Sequence, residues 1–116
     1  MKNDFGGHDN HHVGNVYAYI GQAIGLYDAP MLAGHEDHFE HNTLVLTGNN
    51  VGSPTCKGDG KTVLSHNKYY TPTGDISECG MSLKDWQAQG GDVGSSVAPL
   101  PDDATIIGWA KALLGF

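Results

Sequence analysis

The segment from Gly7 to Gly25 returns 27 residues later as the segment from Gly34 to Gly52, and this self-match restricts the fold more than any other feature of the chain. Aligned without gaps, GHDNHHVGNVYAYIGQAIG and GHEDHFEHNTLVLTGNNVG share six identities: Gly7/Gly34, His8/His35, His11/His38, Asn15/Asn42, Gly21/Gly48 and Gly25/Gly52. Asp9/Glu36 and Ile24/Val51 are close replacements. A period of roughly 20 to 50 residues marks an architecture of stacked repeats. In such a stack, matched residues lie one strand spacing apart, about 4.8 Å. The alignment therefore reads as a list of contacts. The competing reading is a chance match between two Gly-, His- and Asn-rich segments of a small β-sandwich.

A third, weaker copy follows. SHNKYYTPTGD, from Ser65 to Asp75, lies 25 residues after EHNTLVLTGNN, so His66 and Asn67 fall on His41 and Asn42. Asn15, Asn42 and Asn67 thus recur at one place in three units. Each precedes a run with β-branched and aromatic residues: Val16–Ile20, Thr43–Leu46 and Lys68–Thr71. A unit of 25 to 27 residues is shorter than a βαβ unit, which takes about 30 or more. No copy carries the apolar spacing of three and four that a helix needs. The regularly spaced leucines of a leucine-rich repeat are absent. The expected class is all-β, a parallel β-helix of about three to four coils. The three asparagines are expected to be structural, an amide ladder at a bend that accepts left-handed backbone.

The pattern changes after Cys79. Ser82-Leu-Lys-Asp85 has the form of a helix N-terminus with Ser82 as N-cap, opening a short helical turn through Trp86 to Gln89 that Gly90-Gly91 stops. Val93–Pro101 reads as an extended linker. Asp102 or Asp103 caps a last helix, Ala104 to Leu114, with Gly115 at its C-cap. Ile106, Ile107, Ala110, Leu113 and Leu114 form an apolar stripe flanked by Trp109. Residues 1–80 are thus expected to be coils, and residues 81–116 a C-terminal cap whose helix covers the open end of the stack. The alternative role for that helix is to bind a partner.

The tail SLKDWQAQGGDVGSSV resembles the closing segment of right-handed parallel β-helix proteins of the pectate-lyase-like superfamily. Ser82, Leu83, Trp86, Gln87, Gly91, Asp92 and Ser95 or Ser96 occupy the places that carry the likeness. The resemblance implies a right-handed β-helix. It leaves the activity open, since the superfamily holds polysaccharide lyases, glycoside hydrolases, epimerases and non-catalytic surface proteins. The lyases commonly use a basic residue to take a proton and carboxylates to hold calcium. This chain has no arginine, and no lysine sits in such a motif.

A net charge of −7 argues against nucleic acid or an anionic membrane as partner. No stretch approaches the roughly 20 apolar residues of a membrane span. MKNDFGGHDN shows no signal peptide, and the repeat is already running by Gly7, which suggests the C-terminal piece of a longer protein. Cys56 and Cys79 lie 23 residues apart, about one coil. A bridge between coils is expected there and would place the parent protein outside the cell or at its surface. The alternative is two unrelated thiols.

Six of the seven histidines fall in residues 7–41. The repeat stacks His8 on His35, His11 on His38, Asp9 on Glu36 and Asn10 on Asp37. On a strictly extended strand, one face shows His8, Asn10, His35 and Asp37, and the other shows Asp9, His11, Glu36 and His38. His8, His11, His35 and His38 are candidate ligands for a divalent metal ion. His11, His38, Asp9 and Glu36 are candidate acid/base residues. A purely structural ladder is the bland reading of both sets. His41 and His66 form a further pair. Tyr17, Tyr19, Tyr69 and Tyr70 are candidates for stacking on sugar rings, with core packing as the alternative.

Three functions follow. The first is a non-catalytic or incomplete β-helix module, the C-terminal end of an extracellular protein that contacts polysaccharide or a surface partner. Upstream coils or another chain would then dock at the open N-terminal end. The second is a polysaccharide lyase, glycoside hydrolase or epimerase using the His/Asp/Glu ladder. The third is a divalent-metal-binding protein.

Overall fold

The computed structural model describes residues 2–3, 8–26, 32–53, 56 and 60–116. By composition residues 26–33 and 53–60 read as two outward loops between repeats, and most of both lies outside these residues. The chain is mostly β, with parallel sheets and two helices. The three repeats each contribute one strand to the first two of three sheets; the third sheet takes strands from the first two repeats and from the segment before them. The first holds β2 (His11–Val13), β5 (His38–Glu40) and β8 (Val63–Ser65). The second holds β3 (Val16–Ile20), β6 (Thr43–Leu46), β9 (Lys68–Thr71) and β12 (Ser96–Pro99). The third holds β1 (Lys2–Asn3), β4 (Ile24–Leu26) and β7 (Gly52–Ser53). All pairs within these three sheets are parallel, and the register puts His11 on His38 on Val63, and Tyr17 on Leu44 on Tyr69.

The asparagine ladder is present, and it is longer than expected. The backbone N–H and Nδ2 of Asn15 both donate to Asn42 Oδ1, at 2.9 and 3.1 Å. Asn42 repeats the pattern on Asn67 Oδ1, at 3.0 and 3.3 Å. Asn67 N–H then donates to Ser95 Oγ at 2.8 Å. A hydrogen of each amide also reaches back to a carbonyl of the preceding repeat, Asn42 Nδ2 to His12 O and Asn67 Nδ2 to Phe39 O. Asn10 and Asp37 make an equivalent rung at the preceding bend, at 2.8 and 3.0 Å. The left-handed conformation falls one residue earlier than expected, on Gly14, His41, His66 and Gly94, with φ of 72°, 55°, 53° and 78°. Each bend of the asparagine ladder thus pairs a left-handed residue with a polar side chain that ties one repeat to the next.

Inside the sheets sit His12, Phe39 and Leu64 from one wall, and Tyr17, Leu44, Tyr69 and Val97 from another. Ile24, Val51 and Ile76 complete the enclosure. Phe39, Leu44, Leu46, Ile24 and Val51 are fully buried. The third wall explains one glycine: a Cβ on Gly52, whose φ is +120°, would fall 1.8 Å from the Ile24 carbonyl oxygen. The gapless alignment pairs Gly25 with Gly52, whereas the sheet pairs Ile24 with Gly52. A bulge in β3, where Ala18 and Tyr19 together oppose Val45 and Tyr19 turns to φ 56°, first moves the register the other way, to Ile20↔Leu46; the turn after β6 then carries two more residues than the turn after β3.

Three expectations at the C-terminus change. The expected linker contains β12, the fourth strand of the largest sheet, paired to β9 from Ser96↔Lys68 to Pro99↔Thr71. A two-stranded antiparallel hairpin, β10 (Ser77–Glu78) and β11 (Met81–Ser82), turns through Cys79 and Gly80, both at positive φ. It leads into α1 (Leu83–Ala88), where Ser82 Oγ accepts from Asp85 N–H as expected. Leu83 enters the core, so α1 does the closing work assigned to the last helix. That helix, α2 (Asp103–Leu114), has the expected Asp102 and Gly115 caps. It lies instead along the outer face of the largest sheet. Trp109 packs on Tyr70 with ring centroids 4.9 Å apart, and Tyr19 Oη donates to Asp103. Only Ile106 of the helix is buried; Ile107, Leu113 and Leu114 remain exposed. The outer face of the sheet offers Val45 and Tyr70 as cover for that narrow stripe.

The expected Cys56–Cys79 disulfide is formed, with Cα atoms 5.8 Å apart. It ties the segment after β7 to the β10–β11 turn. Beside it, Glu78 and Asp92 are almost wholly buried. Asp92 accepts from Tyr69 Oη at 2.7 Å and from Ser95 Oγ. Neither carboxyl oxygen of Glu78 makes a hydrogen bond. Burial, reinforced by Asp92, pushes the Glu78 carboxyl up to about 10, so it is protonated at neutral pH.

Two tests follow. Asn42→Ala strands the Asn15 N–H and Nδ2 and the His12 carbonyl of the first repeat and is expected to cost roughly 2–4 kcal/mol in urea melts. Asn15→Ala, at the half-exposed first rung, costs less. Glu78 keeps its proton in the folded state up to about 10 and loses it near the ordinary carboxyl value of 4.5 when unfolded. Between those values folding takes up a proton, so stability falls as pH rises, by up to about 1.4 kcal/mol per pH unit. Urea melts near pH 6 and near pH 8 will show this slope, and Glu78→Gln flattens it.

Candidate functional site

The chemistry-bearing side chains gather on the outer surface of the β2–β5–β8 sheet. Alternation along each strand sets this up: His12, Phe39 and Leu64 point inward, so His11, His38, Glu40 and Ser65 point out. His11 and His38 are direct register partners, and their rings stack in parallel with centroids 4.6 Å apart. His41 and His66, both at left-handed bends, stack the same way at 4.8 Å. The column ends where the His66 ring lies over Gly94, whose φ is +78°; a Cβ there would fall 2.6 Å from the imidazole.

His8 and His35 meet differently. They stand before β2 and β5 with ring centroids 5.6 Å apart and planes crossed at 73°. Between them sits Asp9. Its Oδ2 lies 2.7 Å from His8 Nδ1 and 2.7 Å from His35 Nδ1. Asp9 itself is left-handed, φ 56°, and its N–H donates to the His35 carbonyl at 3.0 Å. Hydrogen bonds from His8, and then from His35, hold the Asp9 carboxyl below the usual carboxylate range.

This geometry overturns the strict alternation expected over residues 8–11 and 35–38. The left-handed turn at Asp9 brings it to the His8/His35 pair rather than to His11 and His38. Asp37 is fully buried and serves as the ladder rung under Asn10, so it leaves the histidine face. Glu36 caps its own turn by accepting from Gly34 N–H at 2.9 Å; that bond lowers its carboxyl. The four expected metal ligands therefore divide into two groups, His8–Asp9–His35 and His11–His38–Glu40. The four acid/base candidates, His11, His38, Asp9 and Glu36, are likewise dispersed.

Glu40 was missed from sequence, although its place two residues after His38 on one strand signals a shared face. His38 Nδ1 lies 3.5 Å from Glu40 Oε1, and Ser65 Oγ donates to the same oxygen at 3.0 Å. Burial raises the Glu40 carboxyl, but the Ser65 and His38 hydrogen bonds outweigh it and leave the carboxyl lowered.

The tyrosines do not form a common surface. Tyr17 packs inward against Phe39, ring centroids 5.6 Å apart. Tyr69 is buried, with its hydroxyl on Asp92. Tyr19 and Tyr70 face outward, but α2 engages both. A separate cavity of about 180 Å3 opens beside α1, lined by Lys61, Trp86, Gln89 and Asp92 among others. Lys61 Nζ stands 6.0 Å over the Trp86 ring. No helix among the described residues is long and apolar enough to cross a membrane.

The Asp9 bridge has a direct readout. In an NMR titration its carboxyl should change below the ordinary value of 3.8. In a His8→Ala/His35→Ala double variant the midpoint should return towards that value, and an unchanged midpoint would show that the bridge does not form.

Comparisons of the chain with protein-family models, with curated proteins and with solved structures find no match.

Proposed function

We propose that this chain is a non-catalytic parallel β-helix module of an extracellular or cell-surface protein, and that its imidazole–carboxylate face is a binding surface. The fold half of this reading is supported by strands of three successive repeats adding in parallel register to the same sheets. The segment with Ser82, Leu83 and Trp86, whose resemblance to pectate-lyase-like proteins implies the end of a stack, supports it further, since Leu83 enters the core there. The Cys56–Cys79 bridge is consistent with an extracellular setting.

One observation carries the functional half. The exposed imidazoles form columns of matched residues, His8 with His35, His11 with His38 and His41 with His66, across the surface of adjacent repeats. The imidazole pairs are displays of like groups, and the carboxyls beside two of them, Asp9 and Glu40, are both held below the usual range rather than set apart as acid and base. The carboxyl pair that could divide such roles, Glu78 and Asp92, is buried beside Tyr69. Binding without turnover is the activity this arrangement supports, with polysaccharide the ligand class that the resemblance suggests.

The test pairs retention with turnover. The chain should be retained by at least one of pectate, alginate, xylan or chitin while releasing neither unsaturated nor reducing ends. His11→Ala/His38→Ala should weaken retention at least roughly tenfold, a difference of about 1.4 kcal/mol. Product release would overturn the non-catalytic reading. Full retention by the double variant would overturn the placement of the surface.

A further inference from the structure

We propose that His8, Asp9 and His35 form a site for one divalent first-row transition ion, of the Zn2+, Ni2+ or Cu2+ class, which clamps the first repeat to the second. The inference rests on the binding face proposed above and specifies a ligand for one part of it.

The donor set sets the ion class. Two imidazole nitrogens and one carboxylate oxygen suit borderline transition ions; calcium and magnesium prefer shells made of oxygen. The geometry is close to what such an ion needs. Both Nδ1 atoms already converge on Asp9 Oδ2 at 2.7 Å. Around a tetrahedral ion with bonds near 2.0–2.1 Å, donor atoms stand about 3.3 Å apart. An ion replacing the bridging hydrogens therefore has to spread the three groups by roughly 0.6 Å. All three side chains are about half exposed, at 56, 49 and 52 %, so they can make that adjustment, and solvent can complete the shell. The backbone is already tied at this point by the Asp9 N–H bond to the His35 carbonyl.

The second group is less suited to an ion. The His11 and His38 rings lie face to face, planes within 9° and centroids 4.6 Å apart. Two metal–nitrogen bonds reach at most about 4.1 Å between nitrogens, and only when opposed. Binding there requires the stack to splay, and Glu40 is already engaged by Ser65. Among the described residues the third repeat has no equivalent site. The sheet register places Val63 under His38, so Gly60 falls three residues earlier, at the level of His35. The inference is therefore one ion per chain, at the first repeat. The ion joins groups 26 and 27 residues apart in the sequence, across the repeat whose β2 and β3 are edge strands among the described sheets. Ordering of those strands is the expected consequence of binding.

The experiment uses the untagged, disulfide-bonded chain. Zinc, nickel, copper, calcium and magnesium chlorides are each titrated in by calorimetry. Side-chain nitrogen NMR follows the histidines in the unaltered protein, and hydrogen exchange follows β2 and β3. The expected result is one equivalent of zinc, with the His8 and His35 nitrogens shifted first. Calcium and magnesium should give no heat, and the amides of β2 and β3 should exchange more slowly. Asp9→Asn and His35→Ala should each weaken zinc at least roughly tenfold, whereas Asp85→Asn, an exposed carboxylate on α1, should not. Should His35→Ala fail to fold, the NMR assignment and Asp9→Asn still decide. Zinc that shifts His11 and His38 first, or survives Asp9→Asn, overturns this site while leaving the binding face in place. A silent titration also overturns it, and polysaccharide retention by the same sample then says whether the face survives. Zinc bound without slower exchange in β2 and β3 overturns the clamp.

Discussion

Each repeat changes direction at a left-handed residue followed by a buried polar side chain, and the next repeat supplies the oxygen that side chain's residue needs. The backbone N–H at the bend cannot pair within its own repeat. Buried and unpaired it would cost on the order of 1–3 kcal/mol. Asn42 and Asn67 solve this by accepting from the repeat before and donating their backbone N–H to the residue stacked after, while a side-chain amide hydrogen reaches back to a carbonyl of the preceding repeat. Asparagine suits this role because one amide both accepts and donates. Once the bends are fixed one above another, the strands between them have no freedom of register. The inward columns of Phe39 with Leu64 and of Leu44 with Tyr69 follow from that alignment.

The sequence shows the ladder because asparagine is needed at the same place in each repeat, and a fixed spacing survives variation elsewhere. The strands Val16–Ile20, Thr43–Leu46 and Lys68–Thr71 are legible for the same reason. The last rung is hidden. Ser95 accepts the Asn67 N–H through a hydroxyl, and one acceptor is enough where no further repeat is stacked above it. No asparagine marks the place, so β12 looks like a linker. The left-handed residues are hidden too, since Gly14, His41, His66 and Gly94 share a backbone angle and no side chain. The end of the stack was misplaced because helix α2 is apolar enough to be a lid, yet Val45 and Tyr70 make the side of the sheet a better surface than its end. Leu83, one residue into α1, reaches the core instead.

The candidate site was legible as pairs and illegible as groups. Stacking predicts that His8 meets His35 and His11 meets His38, and both pairs form. Which carboxylate joins which pair depends on backbone angles that residue types do not display. Asp9 at φ 56° leaves the alternation, while its counterpart Glu36 does not turn left-handed and caps a loop instead. Two acidic residues in matched positions therefore do different work. Glu40 gains its place from β5 alone, having Val13 as its partner below and Ser65 above. The tyrosines fail as a surface for a related reason: the bulge at Ala18–Tyr19 sends Tyr19 outward while Tyr17 stays inside.

A stack of repeats is ordinarily a one-dimensional chain of nearest-neighbour contacts, with ends that open more easily than the middle. Here that independence is reduced at both ends. The Cys56–Cys79 bridge closes a loop around the later repeats, a constraint worth about 3 kcal/mol against an unfolded chain. Helix α2 does something a repeat cannot. It packs Trp109 on Tyr70 of the third repeat and takes a hydrogen bond from Tyr19 of the first. Opening the β3 edge therefore means losing contacts with a segment more than 80 residues later in the chain, Asp103 being 84 positions from Tyr19. The bulge that spoils the repeat at Tyr19 is what aims that side chain at α2. A local departure from periodicity thus ties the first repeat to the last helix.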